Sequence, residues 1–267
     1  MRRAVGDGMT LWVEDEAIVG SSKEKSKPQR TTKAKKKETT RRIVESRTGK
    51  AEDGKRQGVQ LTERDLEALG WIADQYAVRT DVIRWLLGNG APLSDSRTRS
   101  VIARWQRAGV AESRRFFAGA PHVVWLTRAG TALVRPGWRT RPPTLSMLAH
   151  HHAVSQVRLA IERRGHGADW VCERVLYKQR ATPDAHVADG TFRSNRGQVT
   201  AVEVELTLKS ADRLRDIVRD LTLDHEAVLY VVGDSTIGRA VTTAAESMGE
   251  TDRVHVVELQ RLVLDRA

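Results

Sequence analysis

The chain has 267 residues, enough for two compact domains and a tail, and carries a net charge of +11 at pH 7. Its single cysteine, Cys172, excludes an internal disulfide and a multi-cysteine zinc site, and no apolar stretch reaches the roughly 18 residues of a membrane span or the length of a signal-peptide core. These limits predict a cytoplasmic protein with no membrane partner, in which Cys172 is a small buried residue on a strand and not a nucleophile.

The charge is unevenly spread. Residues 1–57 form an arm expected to be disordered, within which 21–57 hold fourteen Lys or Arg against five Asp or Glu and almost nothing to build a core. Such a segment is either a solubilising tail or an arm that follows phosphates. Residues 61–141 hold thirteen Arg against seven acids, whereas 142–267 hold sixteen basic against eighteen acidic residues, so the positive excess is confined to the front half.

From residue 58 to 136 the pattern predicts a mostly helical domain. Thr62 is a good N-cap with Asp65 at the third helical position, and Leu66, Leu69, Ile72, Ala73 and Tyr76 recur at helical spacing. Thr80 caps a short second helix with Val82, Ile83, Leu86 and Leu87 facing inward, ended by Gly88, Asn89 and Gly90. Ser94 or Asp95 opens a third helix with an apolar face of Val101, Ile102 and Trp105, and Gly109 stops it. Two strand-like runs follow, Val110–Phe117 and His122–Thr127, then a polar-capped helix from Thr127 to about Arg135.

Three short helices followed by a two-stranded hairpin is the order of a winged helix-turn-helix, in which the third helix enters the major groove and the hairpin touches the flanking backbone. On that reading the partner is double-stranded DNA. Arg97 and Arg99, near the start of the third helix, then suit base edges, and Arg104, Arg107, Arg114 and Arg115 suit phosphates. The plainer reading of the same arginines is a solvated helix face or a protein interface.

A linker is placed at 137–144, where Gly137, Pro142 and Pro143 break regular structure. Residues 145–267 then predict an α/β domain with a mixed sheet flanked by helices. The expected order is a helix from Leu145 to Arg164, strands at 169–177, 186–192 and 198–206, a helix at 209–223, a strand at 227–233, a helix at 235–248, a strand at 253–259 and a short tail.

Glu203 and Glu205 alternate on the third of these strands and so project from one face, where two like charges are costly to bury without a cation. If the second and third strands pair as a hairpin turning near Ser194–Gly197, Asp189 comes beside them and completes an oxygen-only pocket suited to Mg2+ or Mn2+. Such an ion lowers the pKa of a bound water and polarises a phosphate. His186, Glu173 on the first strand and Glu162 on the preceding helix are secondary candidates, Glu162 having a surface role as its plainer reading. The run His150, His151, His152 does not read as a metal site, because consecutive helical residues diverge. These are structural histidines, with one packed beneath the pocket or touching DNA as the alternative.

The order helix, three strands, helix, strand, with Asp189 on the second strand and Glu203-Val204-Glu205 on the third, resembles the PD-(D/E)XK nuclease fold. Joined to a winged helix, it resembles the replication-relaxation family of actinobacterial plasmids, phages and mobile elements over about residues 61–235. The resemblance implies a nuclease-like site in which Asp189, Glu203 and Glu205 hold Mg2+ or Mn2+ and a lysine assists the water. Ala188 stands where the pattern has proline and Glu205 where it has lysine. Lys209, four residues on, is the candidate replacement, or else a solvated lysine at a helix start.

Two functions stay open. One is a DNA-binding protein of a plasmid, phage or mobile element that acts in replication or DNA relaxation through a metal-dependent nicking or cleaving nuclease-like domain. The other is a non-enzymatic replication accessory or transcriptional regulator whose α/β domain serves dimerisation or partner docking. A homodimer and replication proteins are the additional partners. Duplex contact is expected to survive deletion of 145–267, because the positive excess lies in front of it.

Overall fold

The computed structural model describes residues 42–43 and 59–264, apart from 166–168, 181 and 195–196. The arm expected at 1–57 therefore lies outside the described residues, but for strand β1 (Arg42–Ile43), which pairs antiparallel with β2 (Gln60–Leu61).

Helix α1 (Glu63–Asp74) starts with the expected capping box: Thr62 Oγ1 accepts from the Asp65 N–H, and the Asp65 carboxylate accepts from the Thr62 N–H at 2.8 Å. Asp65 is also fully buried, and its Oδ1 accepts from Trp105 Nε1 at 2.9 Å and from Arg104 at 2.5 Å. One carboxylate thus caps one helix and ties it to another 40 residues on. The helix ends at Asp74, before the last residue of the apolar pattern, because Tyr76 turns into the left-handed region at φ 62°. A strand that the periodicity does not separate, β3 (Ala77–Arg79), follows, and α2 (Thr80–Leu86) has Arg79 and not Thr80 at its N-cap.

Ser94 caps α3 (Asp95–Arg107), which buries Thr98, Val101, Ile102 and Trp105. Gly109, at φ 69°, supplies the left-handed turn into β4 (Ala111–Arg114), which pairs antiparallel with β5 (Val123–Leu126). β3 pairs with the other edge of β5, giving a three-stranded sheet of order β3-β5-β4. Thr127 caps α4 (Arg128–Val134).

A 3-10 turn (Leu145–Met147) leads into α5 (Leu148–Arg163). β6 is only Val171–Cys172, with Cys172 buried as expected. The rest of the expected strand is helix α6 (Glu173–Gln179). The run Glu173-Arg174-Val175-Leu176 lacks a period of two, and the Glu173 N–H is bonded to the Asp189 carbonyl at 3.2 Å. Then come β7 (Gly190–Arg193), β8 (Val199–Glu205), α7 (Ala211–Asp224), β9 (Ala227–Val232), α8 (Ser235–Met248) and β10 (Val254–Glu258). Helix α9 (Leu259–Leu264) takes the place of the expected tail.

These strands form one mixed sheet in sequential order, antiparallel from β6 to β8 and parallel from β8 to β10. Leu214, Ile217 and Leu221 of α7 and Ile237 and Val241 of α8 pack on Ala201, Val228, Tyr230 and Val232, so the fold is mixed α/β. Among the described residues no helix is long and apolar enough to cross a membrane.

Helix α5 belongs to both halves. It lies against β8, yet Leu159 is part of the core formed by α1, α2 and α3. Trp71 Nε1 donates to both oxygens of Glu162 at 3.0 and 2.9 Å, Arg158 Nε donates to Glu162 at 2.7 Å, and the Arg158 guanidinium lies 4.5 Å from the Trp71 ring centroid. Asp74, an acid at the unfavourable end of α1, is held by Arg158 at 3.3 Å and Arg135 at 2.8 Å. Glu162 is therefore neither a plain surface residue nor a fourth carboxylate of the pocket: it is a tie between α5 and α1. Trp71→Phe is expected to cost about 1–2 kcal/mol in urea melts, and most of that loss should vanish when Glu162 is already alanine. Equal losses in both backgrounds would contradict the tie.

Candidate functional site

The exposed arginines of the front half fall into two groups. At about 100° per residue, the buried stripe of α3 leaves an outward arc centred on Ser96, Ser100, Ala103 and Arg107. Arg97 and Arg99 stand on opposite flanks of that arc, about 160° apart. Arg64, Ser96, Arg97 and Ser100 line an open groove between α1 and α3. Arg114 and Arg115 are exposed on the hairpin, where the Arg114 guanidinium lies 5.4 Å from the Phe116 ring centroid. Among the described residues no carboxylate pairs with Arg97, Arg99, Arg107, Arg114 or Arg115. Arg104 is different, being committed to buried Asp65.

The carboxylates of the second half meet at the start of β7. Asp189 precedes that strand instead of lying on it, and Gly190 directly after it is required. A Cβ there would lie 2.3 Å from Trp170 Cζ2, so glycine alone lets the indole cover the strand start. The ladder between β7 and β8 runs out at Gly190 and Val202, and Asp189 Oδ2 takes over by accepting the Val204 N–H at 2.8 Å. Its Oδ1 lies 2.8 Å from His150 Nε2 on α5.

Glu203 and Glu205 are 4% and 3% exposed on the face of β8 shared with Ala201, where β9 brings Tyr230 opposite Glu203. His186 Nε2 lies 2.9 Å from Glu203 Oε2 without the alignment of a hydrogen bond, which leaves that buried oxygen unsatisfied. Burial and then the neighbouring Asp189 charge push the Glu203 carboxyl above its ordinary range, against the pull of His186 and Lys209. The Tyr230 hydroxyl, also buried without a partner, is pushed up by burial and by Glu203. Glu205 is turned elsewhere: Oε1 accepts from the Thr207 N–H and hydroxyl at 3.1 Å, and Oε2 pairs with the Lys209 ammonium. Burial holds Lys209 below the ordinary lysine value, while Glu203 and Asp189 act on it in the opposite sense. Lys209 precedes the Ser210 cap of α7 and is half-buried, not a solvated helix-start lysine.

The structure thus brings Asp189, Glu203, His186 and Lys209 into one electrostatic cluster, while Thr207 satisfies Glu205 Oε1 and Lys209 faces Oε2 as an ion pair. Among the described residues no group of three or more His, Cys, Asp or Glu is arranged to hold a metal ion. Asp189 and Glu203 are the two carboxylates that could hold a divalent cation, with both Asp189 oxygens engaged by His150 and the Val204 N–H and Glu203 Oε2 lying 2.9 Å from His186 Nε2. Glu205 does not extend that set.

The three histidines use their divergence. His150 turns to Asp189, His151 stacks on Tyr76 with centroids 5.2 Å apart and an 11° interplanar angle, and His152 lies 3.8 Å from Asp81. Gln75, Tyr76, His150, His151, Glu173 and Asp189 line a small polar pocket where α1, α5 and α6 converge. Burial lowers the His151 pKa to about 4, so it is neutral at pH 7, and burial together with Glu173 raises Tyr76 to about 12. Glu173 starts α6 and still lines the pocket, its pKa raised by burial and then by Asp189. His150 fits the alternative that one histidine of the run packs beneath the pocket, whereas Tyr76 is not apparent from sequence as a pocket residue, since it acts through partners on other elements.

The chain matches no protein-family model and no curated protein. Fold and site define a mixed α/β protein with buried Glu203 and Glu205, Asp189 and Lys209 beside them, and a separate face of arginines that pair with no carboxylate among the described residues.

Proposed function

We propose that this is a DNA-binding protein that holds duplex DNA through α3 and the β4–β5 hairpin, as a winged helix-turn-helix does. The observation that carries this reading is the outward arc of α3, flanked by Arg97 and Arg99, with which no carboxylate among the described residues pairs. In the major groove, Ser96 and Ser100 would face base edges while Arg97 and Arg99 reach the edges or phosphates of opposite strands. Arg107, Arg114 and Arg115 add phosphate contacts. Arg104 drops out of the interface and serves the fold. Selection from a random-sequence duplex pool tests the reading: a recovered site whose affinity survives Arg104→Lys but not Arg97→Ala supports it, and failure to retain any duplex contradicts it.

A second reading adds phosphodiester cleavage, favoured by Lys209 standing beside Glu203 and Asp189 although position 205 carries an acid. Apart from α6, which stands between β6 and β7, the order α5, β6, β7, β8, α7, β9 agrees with a PD-(D/E)XK-like domain, and its union with the front half with a replication-relaxation protein of a plasmid, phage or mobile element, at work on DNA in the cytoplasm. Asp189 and Glu203 would hold Mg2+ or Mn2+, which supplies polarisation of the scissile phosphate and acidification of a water. His150 orients the Asp189 carboxylate, the Val204 N–H fixes its other oxygen, and Lys209 keeps Glu205 from adding uncompensated negative charge. Supercoiled plasmid with Mn2+ should be nicked by the chain and left intact by Asp189→Ala, which should also lower calorimetric Mn2+ affinity at least about tenfold. Duplex binding with no Mn2+ affinity would leave the non-enzymatic accessory or regulator, with the sheet domain used for dimerisation or docking of replication proteins.

A further inference from the structure

Residues 142–267 are slightly acidic overall, yet two of their cations, Lys178 and Arg180, lie near Arg139 and Arg141 from the preceding segment. The segment from Trp138 to Arg141 runs alongside α6, since Arg174 of α6 donates to the carbonyl of Arg139 and stacks its guanidinium 4.6 Å from the Trp138 centroid. Lys178, one turn on, places its ammonium 5.4 Å from the same ring, and Arg180 lies 3.7 Å from the centroid of Tyr177. Arg139, Arg141 and Lys178 are exposed, and Tyr177 is 53% exposed. Among the described residues no carboxylate pairs with Arg139, Arg141, Lys178 or Arg180. Asp74 is paired with Arg135 and Arg158.

This shelf adjoins the pocket that contains Asp189. Arg174 lies 4.6 Å from the ring of Tyr76, which lines that pocket, and the charge of Arg141 acts on His151, which lines it as well. We propose that the shelf formed by Arg139, Arg141, Lys178 and Arg180 around Trp138 and Tyr177 binds a single DNA strand and leads it past the Asp189 pocket. Two features select a single strand over a duplex. Cations interleaved with aromatic rings match a backbone whose bases are free to stack, and stacking on an exposed ring such as Tyr177 contributes about 1–3 kcal/mol per base. Duplex bases are not available for that contact. The inference extends the DNA-binding reading, but it rests on different residues from those of α3.

The test uses the full chain and two probes, a labelled thymidine oligomer of about 20 nucleotides and a labelled duplex of equal length. Basic residues ahead of residue 58 act equally on every variant compared. Arg141→Glu with Lys178→Glu should weaken oligomer binding about tenfold or more, and should flatten the slope of log affinity against log salt by about 1.4, for two lost contacts at about 0.7 each. Tyr177→Ala should weaken oligomer binding at least about fivefold, and Tyr177→Phe should restore it. Duplex affinity should stay within about twofold for all three. Arg97→Glu with Arg99→Glu should show the reverse pattern. An oligomer affinity of the Arg141/Lys178 variant within about twofold of the parent, or an equal loss for both probes, would overturn the shelf. An Arg97/Arg99 variant that keeps its duplex affinity would overturn the α3 reading and leave the shelf result standing.

Discussion

Replacing Arg97 and Arg99 together by alanine is expected to weaken duplex binding at least about 30-fold, since each well-made contact to a base edge discriminates by about 1–3 kcal/mol and the two act on opposite flanks of α3. The fold should be untouched, because both side chains are exposed and the helix is set by the Ser94 cap and by Thr98, Val101, Ile102 and Trp105 on its inner face. Arg104→Ala should behave in the opposite way, lowering stability while leaving much of the DNA affinity of the folded fraction. Fluorescence anisotropy at fixed salt, beside circular dichroism melts, separates the two outcomes. A loss below about threefold for the Arg97/Arg99 pair would show that α3 does not carry the contact.

Asp65→Ala is expected to cost about 3–5 kcal/mol, enough to unfold a marginally stable domain. The carboxylate is fully buried and receives the Thr62 N–H and hydroxyl, Trp105 Nε1 and Arg104, so its removal takes away a cap and strands the buried Trp105 Nε1 beside a partly buried guanidinium. Burial acts to raise the Asp65 pKa, but the Thr62 backbone, Trp105, the Thr62 hydroxyl and Arg104 together hold it below the ordinary value. A folded pKa below the unfolded one means that the group stabilises fully above about pH 4, and that this stability drains away as pH falls through the folded value. Urea melts at pH 7 and at about pH 3 should therefore show an acid-induced loss in the parent that is much smaller in Asp65→Asn. The same acid sensitivity in both would place the titrating group elsewhere.

The parts of this fold legible in the sequence are those fixed by neighbours in the chain. Thr62, Ser94 and Thr127 announce helix starts because a cap is decided within three residues, and the β7–β8 hairpin shows in the alternation around Glu203 and in the turn at Gly197. Tyr76 looks helical by spacing, yet tertiary contacts decide its backbone: His151 stacks on it and Arg174 lies over it. Helix α6 was hidden because its seven residues carry no strong period, and its first N–H is held by the Asp189 carbonyl. Half of the carboxylate site was legible. Alternation placed Glu203 beside Glu205, but only the fold shows that Lys209 engages Glu205 while His150, 39 positions before Asp189, turns to that aspartate. The same holds for α5, whose Arg158 and Glu162 make it part of the front-half packing. A deletion starting at 145 would remove these contacts and weaken the domain it was meant to spare.

Duplex binding through the outward arc of α3 can be read from the salt dependence of duplex affinity in the full chain and in the Arg97/Arg99 alanine variant. If both arginines reach phosphates, log affinity falls linearly with log salt for the parent, and the variant's slope is shallower by about 1.8, at about 0.9 per lost phosphate contact. Identical slopes and affinities in the two proteins would contradict it.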